Sequence, residues 1–269
     1  ENFHNIALLK FDENGNNVKS ASILIESSIG GIDKAKSFEI DGNLFVYFDA
    51  SSYSKISLNG NQLERNSNNA GTRSRRQYLI SVDSDLNYRW HRELPAGLYN
   101  FQDFAELSNG GFAAVGGLTN SVNLDGHITQ SENPNTANVL LVKFRDDGVV
   151  DSAKTFGTYN GKEYGYQIEA TKNDDLIIQG QRLYSGSWEN RNKYWDKPNT
   201  ENQNAGQNQG FFLKVDSNNN LEWTSSGFIR NSYKPHYLIK DDDTVFYQDT
   251  FFNRGFKTLD NLEIGRAHV

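Results

Sequence analysis

The sequence predicts an all-β chain made of repeated four-stranded antiparallel sheets, and three observations predict it. One short pattern recurs along the chain. Each recurrence is followed by two further short apolar runs around a turn. No long segment keeps apolar residues at i, i+3, i+4 and i+7 without Gly or Asx interruption, so helix content should be low.

The recurring pattern is an apolar run ending in an Asx-rich turn. It appears as Ile6-Ala-Leu-Leu-Lys-Phe-Asp12-Glu-Asn-Gly15, as Tyr78-Leu-Ile-Ser-Val-Asp83-Ser-Asp-Leu86, as Val139-Leu-Leu-Val-Lys-Phe-Arg145-Asp-Asp-Gly148, and as Phe211-Phe-Leu-Lys-Val-Asp216-Ser-Asn-Asn219. A fifth copy starts at Gly255-Phe-Lys-Thr-Leu-Asp260. Anchored on Asp12, Asp83, Arg145, Asp216 and Asp260, the spacings are 71, 62, 71 and 44 residues, so one connection varies in length. The second half of each unit reads Phe38–Tyr47 around Gly42, Phe104–Val115 around Gly110, Ile168–Ile178 around Asp174, and Tyr237–Phe246 around Asp242. Val, Ile, Phe and Tyr around an Asx/Gly turn mark a β-hairpin. Each unit is therefore two hairpins, or four strands. Such sheets repeated along a chain predict a β-propeller, in which each blade packs on the next around an axis.

Composition narrows the functional classes. With no cysteine among 269 residues, disulfides, thiol nucleophiles and Cys-ligated metal or iron–sulfur centres are excluded. Lys+Arg 27 against Asp+Glu 34 gives a net charge of −7, which argues against a nucleic-acid partner. Spanning a membrane as a helix takes about 20 consecutive apolar residues, and the apolar runs here are strand-length, so no membrane insertion is expected. Glu263–Val269 reads like one frame of a sequencing adapter. A single partial domain is thus expected over 1–262, with 263–269 a non-native tail, and the remainder of a larger parent chain completes the propeller.

The units resemble the bacterial outer-surface propeller repeats of the delta-60 and SBBP type, within the quinoprotein-like propellers. The resemblance rests on Leu140–Phe144, Asp147-Gly148, Lys154–Gly157 and Leu107–Gly111, and on Trp90 and Trp223, each seven residues after its anchor. It implies a secreted or cell-surface location and an incomplete propeller of about four repeat units plus the start of a fifth. If the anchor hairpin supplies the two outer strands of a blade, the chain holds half a blade, three whole ones and an unfinished one. In the other phase it holds four blades plus a strand. An open propeller would expose an apolar face and an unpaired strand edge at each end, which invites association with another copy.

In an antiparallel unit the tight turns gather at one end and the longer links at the other. The variable links are Ser51–Gln77, Thr119–Ala137 and Gln181–Gln209. The last carries Tyr184, Trp188, Arg191, Tyr194 and Trp195, and rings beside planar polar groups suit a carbohydrate or protein ligand. These five are the candidate ligand-binding residues. The Arg73-Ser74-Arg75-Arg76 run could grip an acidic group. Asp12-x-Asn14-x-Asn16, Asp83-x-Asp85-x-Asn87 and Asp216-x-Asn218-x-Asn220 have calcium-loop spacing. They lack the closing Glu, however, so turn chemistry is the better reading. No metal or cofactor is expected. His4, His91, His127 and His236 form no metal pattern, and no nucleophile elbow occurs. Asp103, Glu106, Glu163 and Glu169 are the acids that glycoside chemistry would draw on. The expected function is a non-catalytic binding or adhesion module that works through the long-link face. The alternatives are a propeller enzyme acting on polysaccharide and a purely structural repeat segment of a larger surface protein.

Overall fold

A computed structural model describes residues 2–27, 32–51, 55–63, 75–94, 98–131, 133, 136–157, 161–184, 209–227, 236–240, 244–248 and 257–258. Among these the chain is all-β, with strands and turns and no helix. It divides into two compact units: Glu1–Ala96 with Asp146–Val149, and Gly97–Arg145 with Val150–Val269.

In the first unit the first anchor hairpin is β1 (Asn2–Phe11) and β2 (Asn17–Ser27). It is followed by β3 (Asp33–Ile40) and β4 (Asn43–Ser51), the short pair β5 (Lys55–Leu58) and β6 (Asn61–Gln62), and then β7 (Arg75–Val82) and β8 (Tyr88–Leu94). They form two antiparallel sheets in the orders β1-β2-β5-β6 and β3-β4-β7-β8. In the second order a second-half hairpin joins the next anchor hairpin in one sheet. Strand alternation then sorts the side chains. Leu8, Ala21, Ile23 and Ile25 of one sheet pack on Val46, Phe48, Tyr78, Ile80 and Val82 of the other.

The second unit repeats the plan. β9 (Leu98–Glu106) and β10 (Phe112–Thr119) are followed by the small hairpin β11 (Ser121–Leu124) and β12 (His127–Gln130), then β13 (Ala137–Phe144) and β14 (Val150–Phe156). Next come β15 (Gly161–Ala170), β16 (Leu176–Tyr184), β17 (Gln209–Val215) and β18 (Leu221–Gly227). The strands β19 (His236–Lys240), β20 (Thr244–Gln248) and β21 (Lys257–Thr258) come last. The sheets run β9-β10-β13-β14, β15-β16-β17-β18 and β19-β20-β21, each antiparallel. Ala113, Val115, Val139 and Leu141 meet Ile178, Phe211, Leu213 and Val215 across the first two.

The anchor turns share one geometry. In three of them the aspartate carbonyl accepts the N–H of the fourth residue, from Gly15, Leu86 and Asn219, at 2.9–3.0 Å. That fourth residue is left-handed in all four turns: Gly15 at φ 82°, Leu86 at 57°, Gly148 at 77° and Asn219 at 64°. Gly and Asn adopt this region readily, and Leu does not. A left-handed leucine costs about 1–2 kcal/mol. Burying its side chain returns about 1.5–3 kcal/mol, and Leu86 lies in the first unit's core, so burial wins.

The repeated lysine of the anchor strand bonds to the following anchor turn. Lys10 Nζ donates to the carbonyl of Ser84 at 2.8 Å, and Lys143 Nζ to that of Ser217 at 2.7 Å. Where the repeat has Ser81 instead, Arg89 stands in. It donates to Ser81 Oγ and to Asp146 Oδ2, each at 3.1 Å, while Trp90 Nε1 donates to the Asp146 carbonyl at 2.7 Å.

Two of the three variable links are not plain loops. β5–β6 folds from Ser51–Gln77 and extends the sheet of β2, and β11–β12 folds from Thr119–Ala137. Their turns are Asn59-Gly60 and Asp125-Gly126, with every φ between 51° and 93°. Asx-Gly pairs of this kind close two-residue hairpins. Asp125 Oδ2 also accepts the Val150 N–H at 2.9 Å, tying its hairpin to β14.

Candidate functional site

The link end of β15 and β16 is where sequence pattern and structure converge. Gly161 pairs with Tyr184, and two residues further in Glu163 pairs with Arg182. Glu163 has no exposed surface. Its Oε1 lies 2.9 Å from Arg182 Nε, and its Oε2 accepts a hydrogen bond of 3.2 Å from Asn138 Nδ2 on β13. Asn138 is buried as well. A carboxylate taken out of water needs such partners, because an isolated buried charge is far too costly to hold.

Backbone without a side chain at Gly157 makes room for Asn138 of this cluster, and two further glycines allow close packing of apolar side chains beside it. A Cβ at Gly157 would fall 1.8 Å from Asn138 Nδ2, one at Gly165 2.3 Å from Val115 Cγ2, and one at Gly180 2.2 Å from the Phe211 ring. A β-bulge between Gly165 and Gln167 shifts the register in the same stretch. The outcome is a closed, charge-paired end of β16, and the longest variable link departs just beyond it.

Of the five candidate ligand residues, Tyr184 is the last residue of β16. Trp188, Arg191, Tyr194 and Trp195 lie outside the described residues. In the basic run, Arg73 and Ser74 also lie outside them, whereas Arg76 is buried and ion-paired with Glu93 across β7 and β8. That arginine holds its own sheet together. Asn138 and Arg182 were not singled out by pattern. The signal that could have found Asn138 is its position as a lone amide opening the apolar run Asn138–Phe144.

The acids divide by environment. Glu163 is locked in its pair, and Asp103 Oδ2 accepts the Ile168 N–H at 3.1 Å. Among the described residues, no three of His, Cys, Asp or Glu stand close enough to hold a metal ion. The Asp-rich turns use their own carboxylates. Asp12 Oδ1 accepts the N–H groups of Asn14 and Asn16 at 2.9 and 2.8 Å, and its Oδ2 accepts Asn16 Nδ2 at 3.0 Å. Asp83 and Asp216 repeat the arrangement with Asp85 and Asn87, and with Asn218 and Asn220. These bonds hold all three carboxyls below the ordinary carboxylate value. The leading cause is the Asn amide at Asp12 and Asp83, and the Asn220 N–H at Asp216. His91 Nδ1 lies 2.8 Å from the Tyr88 hydroxyl.

Compared with known proteins, the sequence matches no protein-family model and no curated protein.

Proposed function

We propose that the chain is a binding module of a repeat-built surface protein, its sheets the blades of an incomplete propeller of the delta-60/SBBP kind, with the link ends of the sheets as the contact face. In this reading it is secreted or displayed at a bacterial cell surface, and its ligand is a carbohydrate or a protein. Tyr184, Trp188, Tyr194 and Trp195 supply ring faces, and Arg191 supplies a planar donor for hydroxyls or carboxylates.

One observation carries the reading: the aromatic-rich link leaves β16 two residues beyond Arg182, and the Glu163–Arg182–Asn138 cluster closes that strand end. Binding groups work best when a rigid scaffold presents them, because little ordering entropy is then lost on contact. A buried, ion-paired Glu163 also suits a scaffold better than an acid that must exchange protons with a substrate.

The test is a glycan array probed with the chain, followed by the same array with Trp188→Ala and Trp195→Ala. Binding by the parent and loss in both variants is the expected result. Binding that survives both substitutions would refute this site. Turnover of a polysaccharide that a single carboxylate change abolishes would replace the reading with an enzymatic one.

A further inference from the structure

Four asparagines in the sequence are followed by glycine: Asn14, Asn59, Asn109 and Asn160. A glycine in that position leaves its backbone nitrogen unhindered, so the nitrogen can attack the asparagine's side-chain amide carbon. Asn160 lies outside the described residues. The other three sit in turns whose hydrogen bonds differ, and the difference falls on the groups that react.

The attacking nitrogen is free at one of them. Gly15 N–H donates to the Asp12 carbonyl and Gly110 N–H to the Leu107 carbonyl, each at 3.0 Å. On the β11–β12 hairpin, whose turn matches that of β5–β6, Gly126 N–H donates to Asn123 Oδ1 at 2.8 Å. Gly60 N–H donates to no acceptor among the described residues. The cross-strand bonds of a two-residue turn use the residues that flank it, here Leu58 and Asn61, and leave the central N–H groups over. A Cβ at Gly60 would meet nothing within 4 Å, so water reaches the turn.

The attacked amide is prepared at the same place. Asn59 Oδ1 accepts the Ser22 N–H at 2.9 Å, and Asn59 N–H donates to the Ser22 carbonyl at 2.9 Å. The Ser22 N–H therefore polarises the amide carbonyl and stays beside its oxygen as negative charge develops there. Asn109 Oδ1 has a similar donor in the Gly111 N–H at 2.9 Å, but its glycine nitrogen is committed to Leu107. Asn14 Oδ1 accepts no N–H among the described residues, and its glycine nitrogen is committed to Asp12. Of the three, Asn59 alone joins a free nitrogen to a polarised amide.

We propose that Asn59-Gly60 is a self-modification site, where the turn converts its own asparagine to aspartate and isoaspartate with water as co-reactant. Gly60 N bonds to Asn59 Cγ, the Cγ–Nδ2 bond breaks, and ammonia leaves with the Gly60 proton. Water then opens the cyclic imide. Opening at the side-chain carbonyl gives aspartate. Opening at the main-chain carbonyl gives isoaspartate, which lengthens the backbone by a methylene inside a two-residue turn. β5 has four residues and β6 two, so little else holds the hairpin in register. Leu58 and Leu63 flank it in the first unit's core, and Leu63 N–H donates to the Ile56 carbonyl at 2.8 Å. Conversion loosens this end of the first sheet, slowly and in one direction.

Peptide mapping by mass spectrometry tests this on the full chain aged at mildly alkaline pH, with loss of the amide followed at each site. In the folded chain Asn59 should convert first. Attack by Gly15 or Gly110 has to break a hydrogen bond beforehand, which slows Asn14 and Asn109 by about two- to tenfold relative to Asn59. In guanidinium chloride all four Asn-Gly pairs should convert at comparable rates, because the turns that distinguish them are gone. Asn59→Gly keeps a residue pair suited to this turn and has no amide to lose. Amide hydrogen exchange at Leu63 should quicken with age in the parent chain and stay constant in that variant. Conversion of folded Asn59 no faster than that of Asn14 or Asn109 would overturn the proposal. So would the same ranking in the unfolded chain, which would assign the preference to sequence alone. Exchange at Leu63 that ignores conversion would refute the loosening of the hairpin.

Discussion

Removing the Glu163 carboxylate tests whether the closed end of β16 is held by charge pairing. Glu163→Leu takes the carboxylate away from the Arg182 guanidinium, whose side chain is only 16% exposed, and removes one acceptor of the buried Asn138 amide. Breaking a buried ion pair from one side costs about 3–5 kcal/mol. Arg182 keeps some contact with water, which lowers that figure, while loss of the Asn138 bond to the carboxylate adds about 1.5–3 kcal/mol. A net loss of about 3–4 kcal/mol is therefore expected, a fall in Tm on the order of 10 °C for a chain of this size. The second change separates charge from shape. Glu163→Leu with Arg182→Met takes away both charges, and such apolar replacements are neutral to stabilising within about 1–4 kcal/mol. The double variant should recover most of the loss. Urea unfolding gives the totals, and amide hydrogen exchange in β15 and β16 shows whether the opening is local. If the single change costs less than about 1 kcal/mol, or the double variant is as unstable as the single, the pair does not hold this end, and the argument from unpaired buried charge fails.

Two further outcomes follow from the turns. Gly15→Ala and Gly148→Ala impose the same left-handed penalty of about 1 kcal/mol. At Gly148, however, the new Cβ would meet the Trp90 ring at 2.7 Å, whereas at Gly15 nothing lies within 4 Å. Gly148→Ala should melt clearly lower than Gly15→Ala, and equal melting would show that Trp90 does not pack on that turn. Asp12, Asp83 and Asp216 sit below 3.8 when folded, so the unfolded chain takes up protons first as the pH falls. Their contribution is complete above that value and is lost as the pH drops through the lowered folded ones. Carboxyl carbon NMR titration should find all three below 3.8, and Asn16→Ala should bring Asp12 back up. An unshifted Asp12 in the parent chain would contradict the turn geometry.

The parts of the fold legible in the sequence are those fixed by local backbone chemistry. Asp12-Glu-Asn-Gly15 and its copies must turn, because the carboxylate binds its own backbone and the fourth residue goes left-handed. The apolar runs on either side must then pair. Asn59-Gly60 and Asp125-Gly126 obey the same rule, and the hairpins β5–β6 and β11–β12 escaped notice only because their strands are four residues or fewer, too short for alternation to stand out. Leu86 is harder to foresee, since no local rule places leucine at φ 57°. A core contact decides it, and cores assemble residues far apart in the chain. The same holds for the candidate site. Glu163 was visible as an acid, but not its pairing with Arg182 across a hairpin or with Asn138 on another sheet, because strand register and sheet stacking determine both. The repeat also explains why Lys10 and Lys143 look alike in sequence and behave alike, while Ser81 needs Arg89 from the adjacent strand: each junction needs a donor for the following anchor turn, and the chain supplies one from whichever strand can reach.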